Sequence, residues 1–453
     1  MQRQKFHITA QKGWINDPNG PVFYKDYYHV FFQYHPYSTQ WGPMHWGHVR
    51  SKDLIKWEHL PVALTPGDEI DRDGCFSGSA VVVGERLYLM YTGIVNRDGN
   101  CYQSQCVAYS DDGVHFTKFP KIVIGGELLP EGFSPYDFRD PCVFVKNGNF
   151  YALVAARKGN SSDMLLFQSS DLKKWQCKGP ILDYPSTGTM IECPCWSEKE
   201  KLLMYSDQFS VPKGVEHLNI HSNFFRSGEL DCDTATFRTE KEGIVDYGFD
   251  FYAAQFFANT EKTIMVAWMQ MWDRNIPCCK EGFAGMLTLP RYVENRNGDF
   301  YQSPVSLEKY VIRRECFEKK DFAGTLKTQG EAYELVIEGK GVKNLVLEVK
   351  KSDTETTKIG IEGGFLVFDR SRSGEKIEGA EKDGLSLAQI RKIPLNNVED
   401  LKIQVVVDRF SVEVFAEGKA MSNTVYPKAD ANGVELNVDA HSVCMEIKHL
   451  SVD

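Results

Sequence analysis

The sequence predicts an all-β protein, a five-bladed β-propeller followed by a C-terminal β-sandwich. Three observations support this fold class. A hairpin-like pattern recurs five times in the first 300 residues, aromatic residues make up 12% of the chain, and short alternating strands follow. Aromatic and β-branched side chains pack well on pleated sheets, so the composition agrees with the repeats. We expect a propeller over residues 1–300, a linker over 301–317 and a sandwich over 318–453.

Each repeat is an apolar run, a turn and a second apolar run, which is the pattern of a β-hairpin. Four strands of about five to six residues and their loops fill the spacing of roughly 60 residues between repeats. Radial packing of such units is typical of a propeller, because it leaves few exposed sheet edges. The five hairpins are predicted over residues 20–35, 79–94, 141–158, 193–208 and 253–270.

A serine-led turn recurs between the first hairpins, at residues 51–57, 110–116 and 170–175, and predicts the entry into an outer strand. In the last third, apolar residues alternate with polar ones over 333–337, 403–407 and 410–414. This period of two is typical of antiparallel sandwich strands. No group of catalytic residue types stands out there, so we expect a structural role or a rim for the site.

Charge and cysteine content exclude several function classes. The formal net charge is −10 with no basic run, so nucleic acid and anionic membranes are poor partners. No apolar run approaches the roughly 18 residues that span a bilayer, and the first residues do not look like a signal peptide. The 12 cysteines lack the paired spacing of a zinc site. We expect reduced thiols and a cytoplasmic location.

Acidic residues fall at the starts of the repeats. Asp17 lies three residues before the first hairpin, Asp140 and Glu192 immediately precede the third and fourth, and Asp250 lies three residues before the fifth. Inner strands of a propeller begin around one channel, so these carboxylates should converge. Each acid alone has an ordinary explanation, as a turn residue, an ion pair or a surface group. For Asp250, which lies among aromatic residues, a structural role is favoured.

Two carboxylates suffice for glycoside hydrolysis, provided that their surroundings separate their pKa values. A third acid can hold sugar hydroxyls. Arg139 precedes Asp140, and we expect this adjacent cation to keep the carboxyl ionised. Nearby aromatic rings could stack on sugars, although core packing is the commoner use of each. These rings are Trp14, Trp41, Trp46, Phe76, Tyr252 and Trp268.

These segments resemble glycoside hydrolase family 32. Residues 14–20 (WINDPNG) resemble its sucrase box, 138–141 (FRDP) its second acidic motif and 192–194 (ECP) its third. The likeness covers nearly the whole chain, with the motifs in the family's order. Further matches are WGPMHWGH at 41–48, FSGSA at 76–80, DFYAAQ at 250–255, LTLPR at 287–291 and VEVF at 412–415.

The resemblance implies a propeller with a sandwich and a retaining β-fructofuranosidase that acts through a covalent fructosyl-enzyme. Asp17 would be the nucleophile, Glu192 the general acid and base, and Asp140 the transition-state stabiliser. The implied Asp17–Glu192 carboxyl separation is about 5–5.5 Å. The residues implied to bind substrate are Asn16, Gln33, Trp41, Phe76, Ser77, Arg139, Tyr252 and Trp268.

The resemblance implies terminal β-fructosides such as sucrose or sucrose 6-phosphate as substrates, with no metal or organic cofactor. Alternatives within the same chemistry are an exo-acting fructanase of inulin, levan or fructo-oligosaccharides and a fructosyltransferase. An inverting propeller hydrolase of arabinan or xylan conflicts with the WINDPNG segment. A propeller that only binds glycans or proteins conflicts with the complete set of acids. The sequence does not predict an oligomeric state.

Overall fold

The computed structural model of the chain describes residues 3–379 and 389–452. It contains five antiparallel sheets around one axis, followed by a two-layered sheet. The innermost strands of the five sheets contact one another in a closed ring. This architecture is a five-bladed propeller with a C-terminal β-sandwich, and the predicted fold class is confirmed. No helix in the described part of the chain has the length and hydropathy of a membrane span.

Blades 1 to 3 each contain four strands in meander order. Blade 1 consists of β1 (Gly13–Tyr24), β2 (Tyr27–His35), β3 (His45–Ser51) and β4 (Trp57–His59). Blade 2 consists of β5 (Gly74–Val83), β6 (Arg86–Arg97), β7 (Asn100–Ser110) and β8 (Thr117–Lys118). Blade 3 consists of β9 (Phe133–Lys146), β10 (Asn149–Lys158), β11 (Ser161–Ser169) and β12 (Gln176–Pro180).

Blades 4 and 5 complete the ring. Blade 4 consists of β13 (Met190–Ser197), β14 (Leu202–Gln208), β15 (His221–Asp231) and β16 (Thr236–Ile244). Blade 5 begins with β17 (Tyr252–Phe256) and β18 (Ile264–Trp268). The two-residue β19 (Phe283–Ala284) then pairs in parallel with the start of β1, so the last blade is tied to the first. Blade 5 ends with β20 (Arg291–Arg296) and β21 (Asp299–Pro304).

The predicted hairpins are the two innermost strands of each blade, so the repeat pattern is confirmed. The serine-led turns also occupy equivalent places, between the third and fourth strands of blades 1 to 3. In each turn an aspartate Oδ1 accepts hydrogen bonds from two backbone N–H groups, at Asp53, Asp112 and Asp171. Such Asx turns reverse the chain with local hydrogen bonds alone, which explains why this pattern is visible in the sequence.

The described part of the sandwich contains ten strands, three of which pair with the long final strand. The 18-residue final strand pairs with β24 in its first half and with β23 in its second half, while β22 pairs along its whole length. The strands are β22 (Val311–Gln329), β23 (Tyr333–Lys340), β24 (Asn344–Lys351), β25 (Thr356–Glu362), β26 (Phe365–Arg372), β27 (Ile390–Pro394), β28 (Leu401–Val407), β29 (Ser411–Ala416), β30 (Lys419–Thr424) and β31 (Gly433–Leu450).

Alternate residues of these strands, such as Leu335, Ile337, Val405 and Val414, form one buried apolar core between the layers. The strands of blade 5 run to Pro304 and those of the sandwich begin at Val311, so the observed connector is shorter than 301–317. Three short 3-10 helices complete the described secondary structure. They span Gly126–Leu128, Pro277–Glu281 and Glu308–Tyr310.

Buried ion pairs join the propeller to the sandwich. Asp250, just before β17, contacts Arg274 at 3.0 Å and Arg370 of β26 at 2.9 Å, and all three side chains are at most 2% exposed. Thr424 of β30 donates its backbone N–H and its hydroxyl to the same carboxylate, each at 2.8 Å. Burial opposes ionisation of Asp250, but the guanidinium charges outweigh it and lower its pKa. Asp250 therefore has the structural role that its aromatic neighbours favoured.

A second buried network lies beside the first. Arg291 of β20 pairs with Asp246 at 2.8 Å and with Glu413 of β29. His7 bonds to Glu413 at 2.8 Å and to Asp408 at 2.9 Å. Burial lowers the pKa of His7, but the two carboxylates more than compensate and raise it to about 9. The N-terminal segment, the propeller and the sandwich are thus held together by charges that water does not reach.

Asp250→Asn should destabilise the protein by about 3–5 kcal/mol, because it removes the charge that two buried guanidiniums share. Urea unfolding of the whole chain measures this change. The matched control is Glu338→Gln, which removes an exposed pair with Lys402 and should cost about 0–1 kcal/mol. Equal effects of the two substitutions would contradict a structural role of the Asp250 network.

Candidate active site

A cavity of about 430 Å³ opens at one end of the propeller channel. Within residues 3–379 and 389–452, all of its lining residues lie between positions 16 and 272, in the propeller. Every lining residue is polar, charged or aromatic, which suits a ligand with many hydroxyl groups. The lining residues are Asn16, Asp17, Gln33, Trp41, Phe76, Ser77, Gln103, Arg139, Asp140, Glu192, Gln208, His221 and Trp272.

A β-bulge interrupts each of the five innermost strands at the level of the cavity. The register shifts lie between residues 15 and 18, 76 and 78, 139 and 142, 192 and 195, and 252 and 255. Three residues at these bulges have positive φ: Asp140 (63°), Cys193 (48°) and Ala253 (53°). A bulge adds one residue and re-aims its neighbours, so side chains that a regular strand would turn into a blade point into the channel.

Asp17 lies on the bulge of blade 1 and is held by three side chains. Ser77 donates its hydroxyl to Asp17 Oδ2 at 2.7 Å, and Asn16 donates Nδ2 to Oδ1 at 3.1 Å. The Cys193 thiol lies 3.6 Å from Oδ2. Burial raises the pKa of Asp17, and the nearby Glu192 carboxylate adds to this rise, while the hydrogen bonds oppose it.

Glu192 lies on the bulge of blade 4 and is fixed from two sides. Arg139 donates Nη2 and Nε to Oε1, at 2.9 and 3.1 Å. Tyr252 donates its hydroxyl to Oε2 at 2.6 Å. Burial favours the neutral acid, but the charge of Arg139 and the hydrogen bond from Tyr252 outweigh it, so the pKa of Glu192 is lowered.

Asp140 lies on the bulge of blade 3 and lines the same cavity as the other two acids. Its backbone N–H donates to Thr92 Oγ1 at 2.9 Å, and its Oδ2 accepts the backbone N–H of Cys193 at 3.0 Å. Burial raises the pKa of Asp140 to about 7, and the carboxylates of Glu192 and Asp17 add to this rise. Below about pH 7 Asp140 therefore holds a proton in most molecules, while Glu192 is ionised.

The expectation that Arg139 keeps Asp140 ionised is wrong. Both residues line the cavity, but the guanidinium forms its hydrogen bonds with Glu192 and with Gln103 Oε1 rather than with its sequence neighbour. Its charge lowers the pKa of Asp140 by less than burial raises it. Adjacent residues on a regular strand point to opposite faces. The bulge at Asp140 changes the directions of both side chains, and the sequence does not specify how.

Five more predicted substrate contacts line the cavity: Asn16, Gln33, Trp41, Phe76 and Ser77. Gln33 donates Nε2 to the Cys75 carbonyl at 3.0 Å. Asn19, in the amide orientation that satisfies both of its polar atoms, connects Gln33 at 2.9 Å with Ser77 at 3.2 Å. Trp41 is 50% exposed and meets the Phe76 ring edge-to-face at 6.0 Å, so it forms one wall of the entrance.

Tyr252 and Trp268 do not line the cavity, which corrects their expected contact with substrate. Tyr252 is 1% exposed, and its hydroxyl is used by Glu192. Trp268 is fully buried, with its ring 5.0 Å from that of Trp272 and 5.9 Å from that of Trp14. Both residues support groups that face the cavity.

Four lining residues were missed by the sequence analysis: Gln103, Gln208, His221 and Trp272. Trp272 is 38% exposed and stacks on Trp14 at 5.8 Å. It lies just beyond the fifth predicted hairpin and outside the acidic segments, so no sequence pattern indicates it. Within the described residues, no cluster of three or more His, Cys, Asp or Glu side chains is arranged to hold a metal ion.

Comparison with known proteins gives consistent matches over both domains. Residues 7–304 match the N-terminal domain of the glycosyl hydrolases family 32, and residues 307–453 match the C-terminal domain of that family. A sucrose-6-phosphate hydrolase of Escherichia coli is 35% identical over 450 residues, covering 95% of this chain and 91% of the relative.

Solved structures agree. A sucrose-6-phosphate hydrolase from Lactobacillus gasseri matches with a TM-score of 0.90 and 27% identity, covering 100% of this chain and 94% of the other. An aspartate-to-alanine mutant of a GH32 β-fructofuranosidase from Bombyx mori, in complex with sucrose, matches with a TM-score of 0.82 and 28% identity. That match covers 99% of this chain and 94% of the other.

Asp140→Asn should raise the melting temperature by a few degrees at about pH 8. The folded pKa of about 7 exceeds the unfolded value of about 3.9, so the carboxyl destabilises the fold increasingly as pH rises between these values. The gain should therefore shrink as pH falls from about 7 to 4. Thermal unfolding across this range measures it.

The control is Asp231→Asn, at an exposed carboxyl whose pKa is lowered by backbone hydrogen bonds from Thr234 and Asp233. This control should not raise the melting temperature at about pH 8. A gain for Asp140→Asn that does not depend on pH would contradict the raised pKa of Asp140.

Proposed function

The chain belongs to glycosyl hydrolase family 32 and hydrolyses β-fructosides, and from this premise we propose a retaining β-fructofuranosidase with Asp17, Glu192 and Asp140 as its catalytic groups. The observation that carries the proposal is the convergence of three carboxyls from blades 1, 3 and 4 on one cavity. Their partners differ, so their proton affinities differ. Such a separation is what two-step glycoside hydrolysis requires.

Asp17 is proposed as the nucleophile that attacks the anomeric carbon of the fructosyl unit. Ser77 and Asn16 hold the carboxylate by one oxygen each and fix its direction. These hydrogen bonds also favour the ionised form against burial. The bond from the anomeric carbon to the leaving oxygen breaks as the bond to Asp17 forms, which gives a covalent fructosyl-enzyme.

Glu192 is proposed to protonate the leaving oxygen and then to activate the water that releases fructose. Its lowered pKa means that Glu192 is ionised in the free enzyme, so it must gain a proton when substrate binds. Asp140 is proposed to make this protonation of Glu192 possible. Fructose hydroxyls that donate to Asp140 stabilise its ionised form, and the additional negative charge beside Glu192 raises the proton affinity of that residue. The proton held by the three acids thus moves to the position where the leaving group needs it.

The fructosyl unit is proposed to lie among Asn16, Gln33, Phe76, Ser77 and Arg139, with Trp41 at the entrance. As physiological substrates we propose sucrose or sucrose 6-phosphate, a choice supported by the similarity to sucrose-6-phosphate hydrolases of E. coli and L. gasseri. Arg139 is the one Lys or Arg among the described residues of the cavity wall, and it is committed to Glu192. A phosphate on the leaving sugar would therefore be held outside the cavity, at its rim.

A cytoplasmic location is part of the proposal. All twelve cysteines are free thiols in the structure, which suits a reducing compartment.

Release of fructose from sucrose, sucrose 6-phosphate, kestose and inulin tests the substrate range. The ratio of kcat/KM for the first two separates the two physiological substrates, and higher activity on inulin would favour an exo-fructanase.

Leaving-group dependence should separate the roles of the two main acids. Glu192→Gln should lose about 10²–10⁴-fold of its activity on sucrose, whose leaving oxygen needs a proton. On p-nitrophenyl β-fructofuranoside, whose leaving group departs without protonation, it should keep a rapid first release of nitrophenol. Asp17→Asn should lose activity on both substrates.

The control is Glu198→Gln on the same blade, at a partly exposed carboxyl paired with Lys201 and Lys146. It should leave both activities within about twofold of wild type, since both lost pairs lie at the surface. Equal losses of Glu192→Gln on the two substrates would contradict its role as general acid.

The pH profile of kcat/KM should fall above about pH 7, where the free enzyme loses the proton held by Asp140. Arg139→Gln removes the cation that lowers the pKa of both Asp140 and Glu192, so the falling limb should move to higher pH. Arg97→Gln, at an exposed arginine that packs on Tyr102, is the control and should leave the limb in place. An unmoved limb in Arg139→Gln would contradict the shared proton.

A further inference from the structure

A second cavity, of about 290 Å³, lies in the propeller channel on the far side of the five bulges. It is lined by the residues that follow the bulge on each innermost strand, over 20–21, 79–82, 142–145, 195–196 and 255–259. Its walls are mainly apolar. Among its lining residues are two cysteines, Cys142 and Cys195.

The two thiols come from neighbouring blades and line the same cavity. Cys142 follows Asp140 by two residues on β9, and Cys195 follows Cys193 by two residues on β13. The hydrogen bond between the Cys193 N–H and Asp140 Oδ2, at 3.0 Å, holds these strands side by side just above. Both cysteines belong to the same buried core cluster, their thiols interact electrostatically, and the Phe256 N–H donates to Cys195 Sγ at 3.1 Å.

Cys142 differs chemically from the other buried cysteines, including Cys195, whose pKa burial raises. The hydrogen bonds from Cys195 and from the Trp196 backbone lower the pKa of Cys142, although burial opposes them. Burial raises the pKa of Cys193 and of Cys232. The thiolate is the reactive form of cysteine, so Cys142 is the better nucleophile and already has a second thiol in the same cavity.

We propose that Cys142 and Cys195 form a reversible redox site, in which a peroxide converts the two thiols into a disulfide that joins blades 3 and 4. Both thiols are 6% exposed and border a cavity that admits molecules the size of hydrogen peroxide. Neither thiol contacts the three carboxyls of the active site. The site is therefore separate from the hydrolytic chemistry, although it lies on the two strands that carry Asp140 and Glu192.

The reaction balances in two steps. The Cys142 thiolate attacks one oxygen of hydrogen peroxide, the O–O bond breaks, and a sulfenic acid and hydroxide form. The Cys195 thiol then attacks the sulfenic sulfur, the S–O bond breaks, and a disulfide and water form. In total, two thiols and one peroxide give one disulfide and two waters, with sulfur oxidised and peroxide oxygen reduced. A dithiol reductant reverses the change by thiol–disulfide exchange.

Peptide mapping after mild peroxide treatment of the whole protein tests the proposal. Trypsin releases Cys142 on a short peptide that begins at Asp140, and releases Cys195 on a peptide that also holds Cys193. The expected product is a disulfide between these two peptides, with fragmentation at Pro194 assigning it to Cys195. The intact chain should lose two hydrogens in mass, and dithiothreitol should restore the original mass.

Three variants make the result decisive. Cys195→Ser should abolish the cross-link and leave Cys142 as a sulfenic acid that a dimedone probe traps. Cys142→Ser should abolish both products. Cys232→Ser, at an equally buried (6%) cysteine whose pKa is raised to about 11, should form the cross-link as wild type does.

The disulfide should also raise the melting temperature of the wild type in the absence of reductant, because it constrains the unfolded chain. Cross-linked peptides that contain Cys193 instead of Cys195 would overturn the proposal. So would unchanged thiols at Cys142 and Cys195 under conditions that oxidise the exposed Cys316.

Discussion

Three carboxyl groups share one small, largely buried cavity with a single guanidinium, and the rest of the structure depends on holding them there. Charges of like sign repel strongly where water is scarce, so an arrangement of this kind opposes folding. Arg139 compensates one acid by its direct contact with Glu192. Asp140 relieves part of the remaining repulsion by holding a proton below about pH 7. The proton that relieves the repulsion is also the one that the proposed reaction uses.

The propeller supports this arrangement through its backbone. Every innermost strand bulges at the same level. The bulges of blades 1, 3 and 4 therefore direct Asp17, Asp140 and Glu192 into the channel without a long loop. The ring is closed by β19 on β1, and the buried networks of Asp250 and Arg291 fasten it to the sandwich. Among the described residues the sandwich contributes none to the cavity wall, and its ion pairs brace blade 5 from outside.

Much of this was predictable from local patterns, and the failures have physical causes. The five hairpins follow from apolar periodicity, and the shared phase of Asp17, Asp140 and Glu192 predicts their convergence. The partner of Arg139 could not be predicted, because the bulge at Asp140 decides where the guanidinium points. Trp268 and Trp272 are close in sequence, yet Trp268 is buried and packs behind the cavity wall, whereas Trp272 is partly exposed and faces the cavity. The Cys142–Cys195 pair spans two blades and leaves no local signal.

The proposed double displacement at Asp17 is tested most directly by trapping its covalent intermediate. Glu192→Gln, given p-nitrophenyl β-fructofuranoside and quenched by acid within its first turnovers, should contain one fructosyl unit, because the base that activates water is missing. Peptide mapping should place that unit on Asp17. A fructosyl unit on another residue, or none together with an inverted anomeric product, would contradict the mechanism.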